Sequence, residues 1–255
     1  MELKMTLITD LIAQTDVNYK PHVAGAFSTS VLRRLEELLP ASIKHSAETG
    51  CGKSTILFSN VSDHHTVFCL DDRVHGENSS VTYFQSCSLT KNERVHMVFG
   101  PTQKTLPVFQ DFKPYDVVLI DGPHGYPFPE IEYYYFYPHM RAGGILIVDD
   151  VHIASIGRLA DFIGEDEMFE PVELVSTTAV FRRTEAPVFD PLGDGWWTQQ
   201  YNHRRIPRHM PYLAEYVLDD KNERPAYASH FETTPTKAAG GFLKSQVSKI
   251  LNNGE

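Results

Sequence analysis

Residues 47–54 read Ala47-Glu48-Thr49-Gly50-Cys51-Gly52-Lys53-Ser54. The fold turns on how these eight letters are framed. With Ala47 in the first glycine position they fit the phosphate-loop pattern, in which backbone amides cradle phosphates, Lys53 reaches the β and γ phosphates and Ser54 holds Mg²⁺. That frame requires a buried apolar strand ending near Ala47, yet Ser42-Ile43-Lys44-His45-Ser46 precedes it. The rival frame is Glu48-x-Gly50-x-Gly52-x-Ser54-Thr55. Here the strand continues to Glu48, and the glycines turn the backbone and let it approach a ligand. The N-terminus of the next helix then faces a polar ligand group. This second frame demands an acidic residue about 20 residues on, at the end of the next strand, to accept from ribose hydroxyls. Asp71 meets the demand at the end of Thr66-Val67-Phe68-Cys69-Leu70.

Outward from this motif, the chain alternates short strands with helical stretches. Ile43–Glu48 is a polar strand. Thr66–Leu70, Val95–Phe99, Val117–Ile120 and Gly144–Val148 follow, the last two as continuous apolar runs suited to burial on both faces. Alternation of this kind predicts right-handed crossovers and a doubly wound, mostly parallel α/β sheet. Residues 171–183 carry two strand-like runs around Ser176-Thr177-Thr178, the spacing of an antiparallel hairpin that closes the sheet. Upstream, Leu7, Ile8, Leu11 and Ile12 have helical spacing. A second helix follows, capped by Ser28 or Ser30, with Val31, Leu32, Leu35, Leu38 and Leu39 inward and Pro40 ending it. Beyond residue 184 the periodicity weakens, until Phe242, Leu243, Val247, Ile250 and Leu251 mark an amphipathic helix over 238–252. We therefore divide the chain into an N-terminal helical region (1–40), a core (41–184) and an extension (185–255) that packs on the core or covers its site.

Composition narrows the partners. A net charge of −10 over 255 residues disfavours general binding to nucleic acid or to an anionic membrane, although His203, Arg204, Arg205, Arg208 and His209 form a local basic cluster. No secretory signal or membrane-spanning run is visible. Cys51, Cys69 and Cys87 are too few and too scattered for a disulfide framework. The expectation is a cytoplasmic protein.

Three segments in order, ETGCGKST, FCLDD and YDVVLIDGPHGY…GGILIVDD, resemble the class I S-adenosylmethionine (SAM)-dependent methyltransferases, over roughly residues 40–183. The nearest flavour is the metal-dependent small-molecule O-methyltransferases acting on sugars. The resemblance implies a seven-stranded Rossmann-like sheet. It places Glu48, Gly50, Cys51, Gly52, Ser54 and Thr55 around the methionine end of SAM and Asp71 on its ribose. Thr102 and Gln103, after the third strand, would lie near the adenine. It also implies a Mg²⁺ site built by Asp121 of IDGPH with Asp149 and Asp150 of IVDD.

The chemistry suits those residues. Side chains just past the carboxyl ends of neighbouring parallel strands converge on one crevice, so Asp121, Asp149 and Asp150 meet in space. Three carboxylates with waters and a substrate hydroxyl match the octahedral shell of Mg²⁺. The cation would lower the pKa of an acceptor hydroxyl, and His124, with His152 as second candidate, would take its proton. Asp at a strand end also caps turns, and a loop histidine also serves as an ordinary hydrogen-bonding group. Lys53 is expected to be solvated. Tyr133–Tyr137 is expected to be mostly packing. Trp196, Trp197, Gln199, Gln200, Tyr201 and His203 are expected either to wall the acceptor or to anchor the extension. A phosphate-loop kinase or NTPase and a non-catalytic methyltransferase-like binding domain remain open at this stage. So do the acceptor and the oligomeric state, a homo-oligomer included.

Overall fold

The computed structural model describes residues 9–11, 13, 28–190, 192 and 199–201. The chain divides into two units, Met1–Gly193 and Asp194–Glu255. The expected 238–252 helix, the basic cluster and Trp196–Trp197 lie outside the described residues, as do Leu7, Ile8 and Ile12.

Helix α1 (Thr29–Leu38) starts at Ser28, whose hydroxyl accepts from Val31 N, and buries Val31, Leu32 and Leu35. Strand β1 (Ile43–Thr49) leads into α2 (Lys53–Val61), and β2 (Ser62–Cys69) into α3 (Ser80–Ser86). Then come β3 (Val95–Phe99), the one-turn α4 (Thr102–Thr105), β4 (Tyr115–Ile120) and α5 (Phe128–Phe136). The unit closes with β5 (Met140–Val148), α6 (Ala154–Gly164) and the hairpin β6 (Phe169–Val175) and β7 (Thr178–Arg183). The seven strands lie in the order β3-β2-β1-β4-β5-β7-β6. All neighbours are parallel from β3 to β5, and β7 runs antiparallel to both β5 and β6. The expected doubly wound sheet with a terminal hairpin is therefore the observed one, and Ser176, at φ 56°, makes the hairpin turn.

Hydrophobic burial holds the layers. Leu32 and Leu35 of α1 and Ile56 and Leu57 of α2 pack with Val117, Leu119, Ile145, Ile147 and Val180 of the sheet. Phe136 of α5 meets the rings of Phe68 and Tyr115 at 5.6 and 5.9 Å. In the run Tyr133–Tyr137, Tyr133, Phe136 and Tyr137 are buried, as a packing role requires. Strand β2 begins four residues earlier than its apolar letters indicate, because Ser-Asp-His-His enters the sheet on hydrogen bonds rather than on hydrophobicity. Among the described residues no helix is long and apolar enough to cross a membrane.

Candidate active site

Strand β1 runs through Ala47, Glu48 and Thr49, paired with β2 on one side and β4 on the other. Only Gly50–Gly52 separate it from α2. The Gly50 amide donates to Phe68 O at 2.9 Å and the Gly52 amide to Thr55 Oγ1 at 2.9 Å. A phosphate cradle needs a run of free amides, and here those of Gly50 and Gly52 are committed to protein partners. This geometry does not favour the phosphate-loop frame. Gly50 has φ +90°, and a Cβ there would stand 2.4 Å from the backbone oxygen of Asp121, so only glycine fits.

The loop opens on a cavity of about 550 Å³ at the carboxyl ends of β1, β2 and β4, a volume usual for small-molecule sites. Gly50, Cys51, Gly52 and Ser54 line it, with Thr102, Gln103, Asp121 and His124 opposite. Lys53 lines it too and is only 8% exposed, which corrects its expected solvation: the first turn of α2 faces the cavity, not bulk water. Glu48 and Thr55 are fully buried and stand behind the loop. Thr55 Oγ1 donates to Glu48 Oε1, while Glu48 Oε2 is buried without a hydrogen-bond partner.

The two aspartates after β2 part company. Asp71 is exposed and pairs with Arg73 at 2.5 Å. That guanidinium holds its carboxyl below the ordinary value. Asp72 lines the cavity. It accepts from Ser79 Oγ (2.5 Å), Ser80 N (2.7 Å) and Val81 N (3.2 Å), fastening the start of α3. Sequence reasoning singled out Asp71 and passed over Asp72, whose signal was only its adjacency.

On the other side, Asp121, His124 and Asp150 bring one ligand atom each within 4.8 Å of one another. His124 Nε2 lies 3.2 Å from Asp150 Oδ2 and 3.8 Å from Asp121 Oδ1. Asp149, expected in the same set, turns away and accepts from Thr178 Oγ1 of β7. Asp150 takes a left-handed turn, at φ 55°, which swings its carboxylate toward His124. His152 Nδ1 is 3.6 Å from Asp150 Oδ1. Burial, with Asp149 and Glu48 nearby, pushes Asp121 up to about 7 against the pull of His124. Burial likewise raises Asp149. Asp121 and then Asp150 raise His124 against its own desolvation.

Behind these groups sits Glu132 of α5, fully buried and pushed up to about 8, chiefly by burial. Thr49 Oγ1 donates to Glu132 Oε2 at 2.7 Å and accepts from Asp121 N at 3.0 Å, tying the carboxyl to the loop that carries Asp121. An acidic residue directly before the aromatic run of α5 was the sequence signal for it, and it went unused.

Residues 47–151 match the family model described as a methyltransferase domain. A search of curated proteins finds no match. Among solved structures, an O-methyltransferase from Bacillus cereus in complex with SAH is 15% identical, with a TM-score of 0.52 over 71% of this chain and 91% of that one. A cofactor-bound protein from MTB is 20% identical, with a TM-score of 0.52 over 71% and 91%. The O-methyltransferase TomG from Streptomyces achromogenes, in complex with SAM, is 16% identical, with a TM-score of 0.50 over 70% and 88%. At these identities the likeness is one of fold. In sequence motifs and fold the chain resembles the class I SAM-dependent methyltransferases.

Proposed function

We propose that this protein is a SAM-dependent methyltransferase whose acceptor is a hydroxyl of a small molecule, a sugar or natural-product-like compound, with a divalent cation at the acceptor end. One observation carries this reading: a single cavity joins the Gly50–Gly52 loop to the Asp121–His124 loop, in a sheet ordered β3-β2-β1-β4-β5-β7-β6. The residues present fit both guests. At Gly50 a side chain would fill the space the loop needs against Asp121. Asp121, Asp150 and His124 offer oxygen and nitrogen donors within reach of one ion.

SAM, when bound, supplies a methyl group on a sulfonium, already a strong electrophile. Gly50, Cys51, Gly52 and Ser54 would seat its methionine end, Asp71 or Asp72 its ribose, and Thr102 and Gln103 its adenine. Glu48 and Thr55 act from behind by holding the loop. Mg²⁺, when bound by Asp121 and Asp150 with waters, would supply charge that favours an ionised acceptor hydroxyl. Asp149 would orient this end through β7. His124 takes the acceptor proton at Nε2. Asp121 and then Asp150 raise its pKa above the ordinary imidazole value, so transfer should strengthen as pH rises through that raised pKa.

Calorimetry with SAM and SAH, followed by methyl-transfer assays on a panel of hydroxyl acceptors with and without a chelator, tests the proposal. Binding of SAH and chelator-sensitive transfer support it. Binding of ATP with none of SAM or SAH sinks it. SAH binding without transfer to any hydroxyl would favour a non-catalytic binding domain.

A further inference from the structure

The polar letters of β1 and β2 meet inside the protein. Ser62 Oγ is 2.7 Å from Ser46 Oγ, and Ser46 Oγ is 2.8 Å from His65 Nδ1. On the other edge of the same ring, His65 Nε2 lies 3.2 Å from Glu48 Oε1, within ion-pair range though out of line for a hydrogen bond. Glu48 Oε1 accepts from Thr55 Oγ1, and Thr55 Oγ1 accepts from Gly52 N. Ser46, Glu48, Thr55, Ser62 and His65 are each 1% exposed or less. Phe58 of α2 covers the imidazole, ring centroids 5.1 Å apart.

One assignment of protons lets every hydroxyl donate once, Ser62 to Ser46, Ser46 to His65 Nδ1 and Thr55 to Glu48, and leaves His65 Nε2–H facing Glu48 Oε1 at 3.2 Å. Donation then converges on Glu48 from both ends, from Ser62 through Ser46 and His65 on one side and from the Gly52 amide through Thr55 on the other. Buried polar groups of this number are costly unless each is satisfied, and an apolar β1 would fill the layer more cheaply. What the line delivers in return is a fixed Glu48 carboxylate, and through Thr55 a fixed Gly52.

We propose that His65 is a positioning residue for the cofactor loop: wedged between Ser46 and Glu48, it sets the Glu48 carboxylate that anchors Thr55 and the Gly50–Gly52 turn. The mechanical part of this inference stands on these buried hydrogen bonds and the His65–Glu48 contact alone. Only the identity of the loop's ligand rests on the methyltransferase reading.

The test uses the full-length protein and two readouts. Amide hydrogen exchange of the segment 50–55 reports the loop without any ligand, and titration with SAH reports the site. In His65→Phe and in Thr55→Val, exchange of that segment should quicken at least about tenfold and the SAH Kd should rise about tenfold, each being a loss of roughly 1.4 kcal/mol. His65→Gln, which keeps a donor toward Glu48, should recover most of both. The double variant His65→Phe/Thr55→Val should be no worse than either single one, because both cut the same line. Additive effects would show two independent packing defects and overturn the proposal. Unchanged exchange in Thr55→Val, or exchange in His65→Gln as fast as in Thr55→Val, would also overturn it, even if His65→Phe failed to fold. Faster exchange in the variants of a protein that never binds SAH would leave the positioning role standing and defeat the methyltransferase reading instead.

Discussion

The β1–β2 side of the cavity and the β4–β5 side treat their buried polar groups in opposite ways. On the β1–β2 side, hydrogen bonds join Ser62, Ser46 and His65 and, separately, Glu48, Thr55 and Gly52, and His65 Nε2 meets Glu48 Oε1 at 3.2 Å between the two sets. On the β4–β5 side, Asp121, Asp149 and Glu132 have pKa values raised chiefly by burial, with His124 pulling against each. The first side is a finished scaffold, suited to holding a ligand of fixed shape. The second is electrostatically incomplete without a cation or bound protons, which is where reaction chemistry belongs.

Breaking the finished side should cost most. Gly50→Ala forces a side chain into a positive-φ position and against Asp121 O. Strain and collision together should remove about 3 kcal/mol of stability and abolish SAH binding to beyond roughly 100-fold weaker. Thermal unfolding and titration check it, and an unchanged SAH affinity would show that the loop does not touch the ligand.

The incomplete side should fail differently. Asp150→Asn removes one charge from the Asp121–His124–Asp150 group without touching the Gly50–Gly52 loop. Methyl transfer should fall about 100-fold and thermal stabilisation by Mg²⁺ should vanish, with SAH affinity kept within about threefold. Equal losses of transfer and of SAH affinity would erase the proposed division between the two sides.

A pH titration separates them again. Glu132 is carried from an ordinary 4.5 to about 8. The folded protein therefore keeps a proton that the unfolded chain releases above about pH 4.5. Stability from this group is complete below that pH and drains away as pH climbs toward 8, by a few kcal/mol at about 1.4 kcal/mol per unit. Asp121, raised to about 7, adds in the same direction. Melting temperatures without divalent ions should fall from pH 5 to pH 8, and Glu132→Gln should flatten most of the slope. A wild-type curve that rises across this window would mean that Glu132 is ionised in the fold.

How legible each side was follows from the same physics. The apolar runs of β4 and β5 announce buried strands, and glycine at 50 and 52 announces a turn, because burial and positive φ select residue types directly. The line through His65 was not legible. Its residues look like a poor strand until three separate elements bring them together, and no local pattern encodes a pairing between Ser46 and His65. Lys53 was misjudged for a related reason: a lysine at a helix start is solvated by default, and only the cavity wall shows where α2 points. Asp149 and Asp150 are equivalent as letters. The left-handed turn at Asp150 and the hydroxyl of Thr178 make them different.

The smallest expected effect sharpens the boundary between the two sides at β2. Asp72 fastens α3 through three acceptor contacts, so Asp72→Ala should cost about 1–2 kcal/mol, the usual worth of a helix-start acceptor. Asp71 pairs with Arg73 in the open, both side chains more than two-fifths exposed, and such pairs contribute between about 0 and 1 kcal/mol. Asp71→Asn should therefore leave the melting temperature almost unchanged, and any loss of SAH affinity must come from contact with the ligand. A roughly tenfold weaker Kd would mean that Asp71 gives up Arg73 for the ribose when the cofactor arrives. No change in Kd would hand the ribose to Asp72, the aspartate that already lines the cavity.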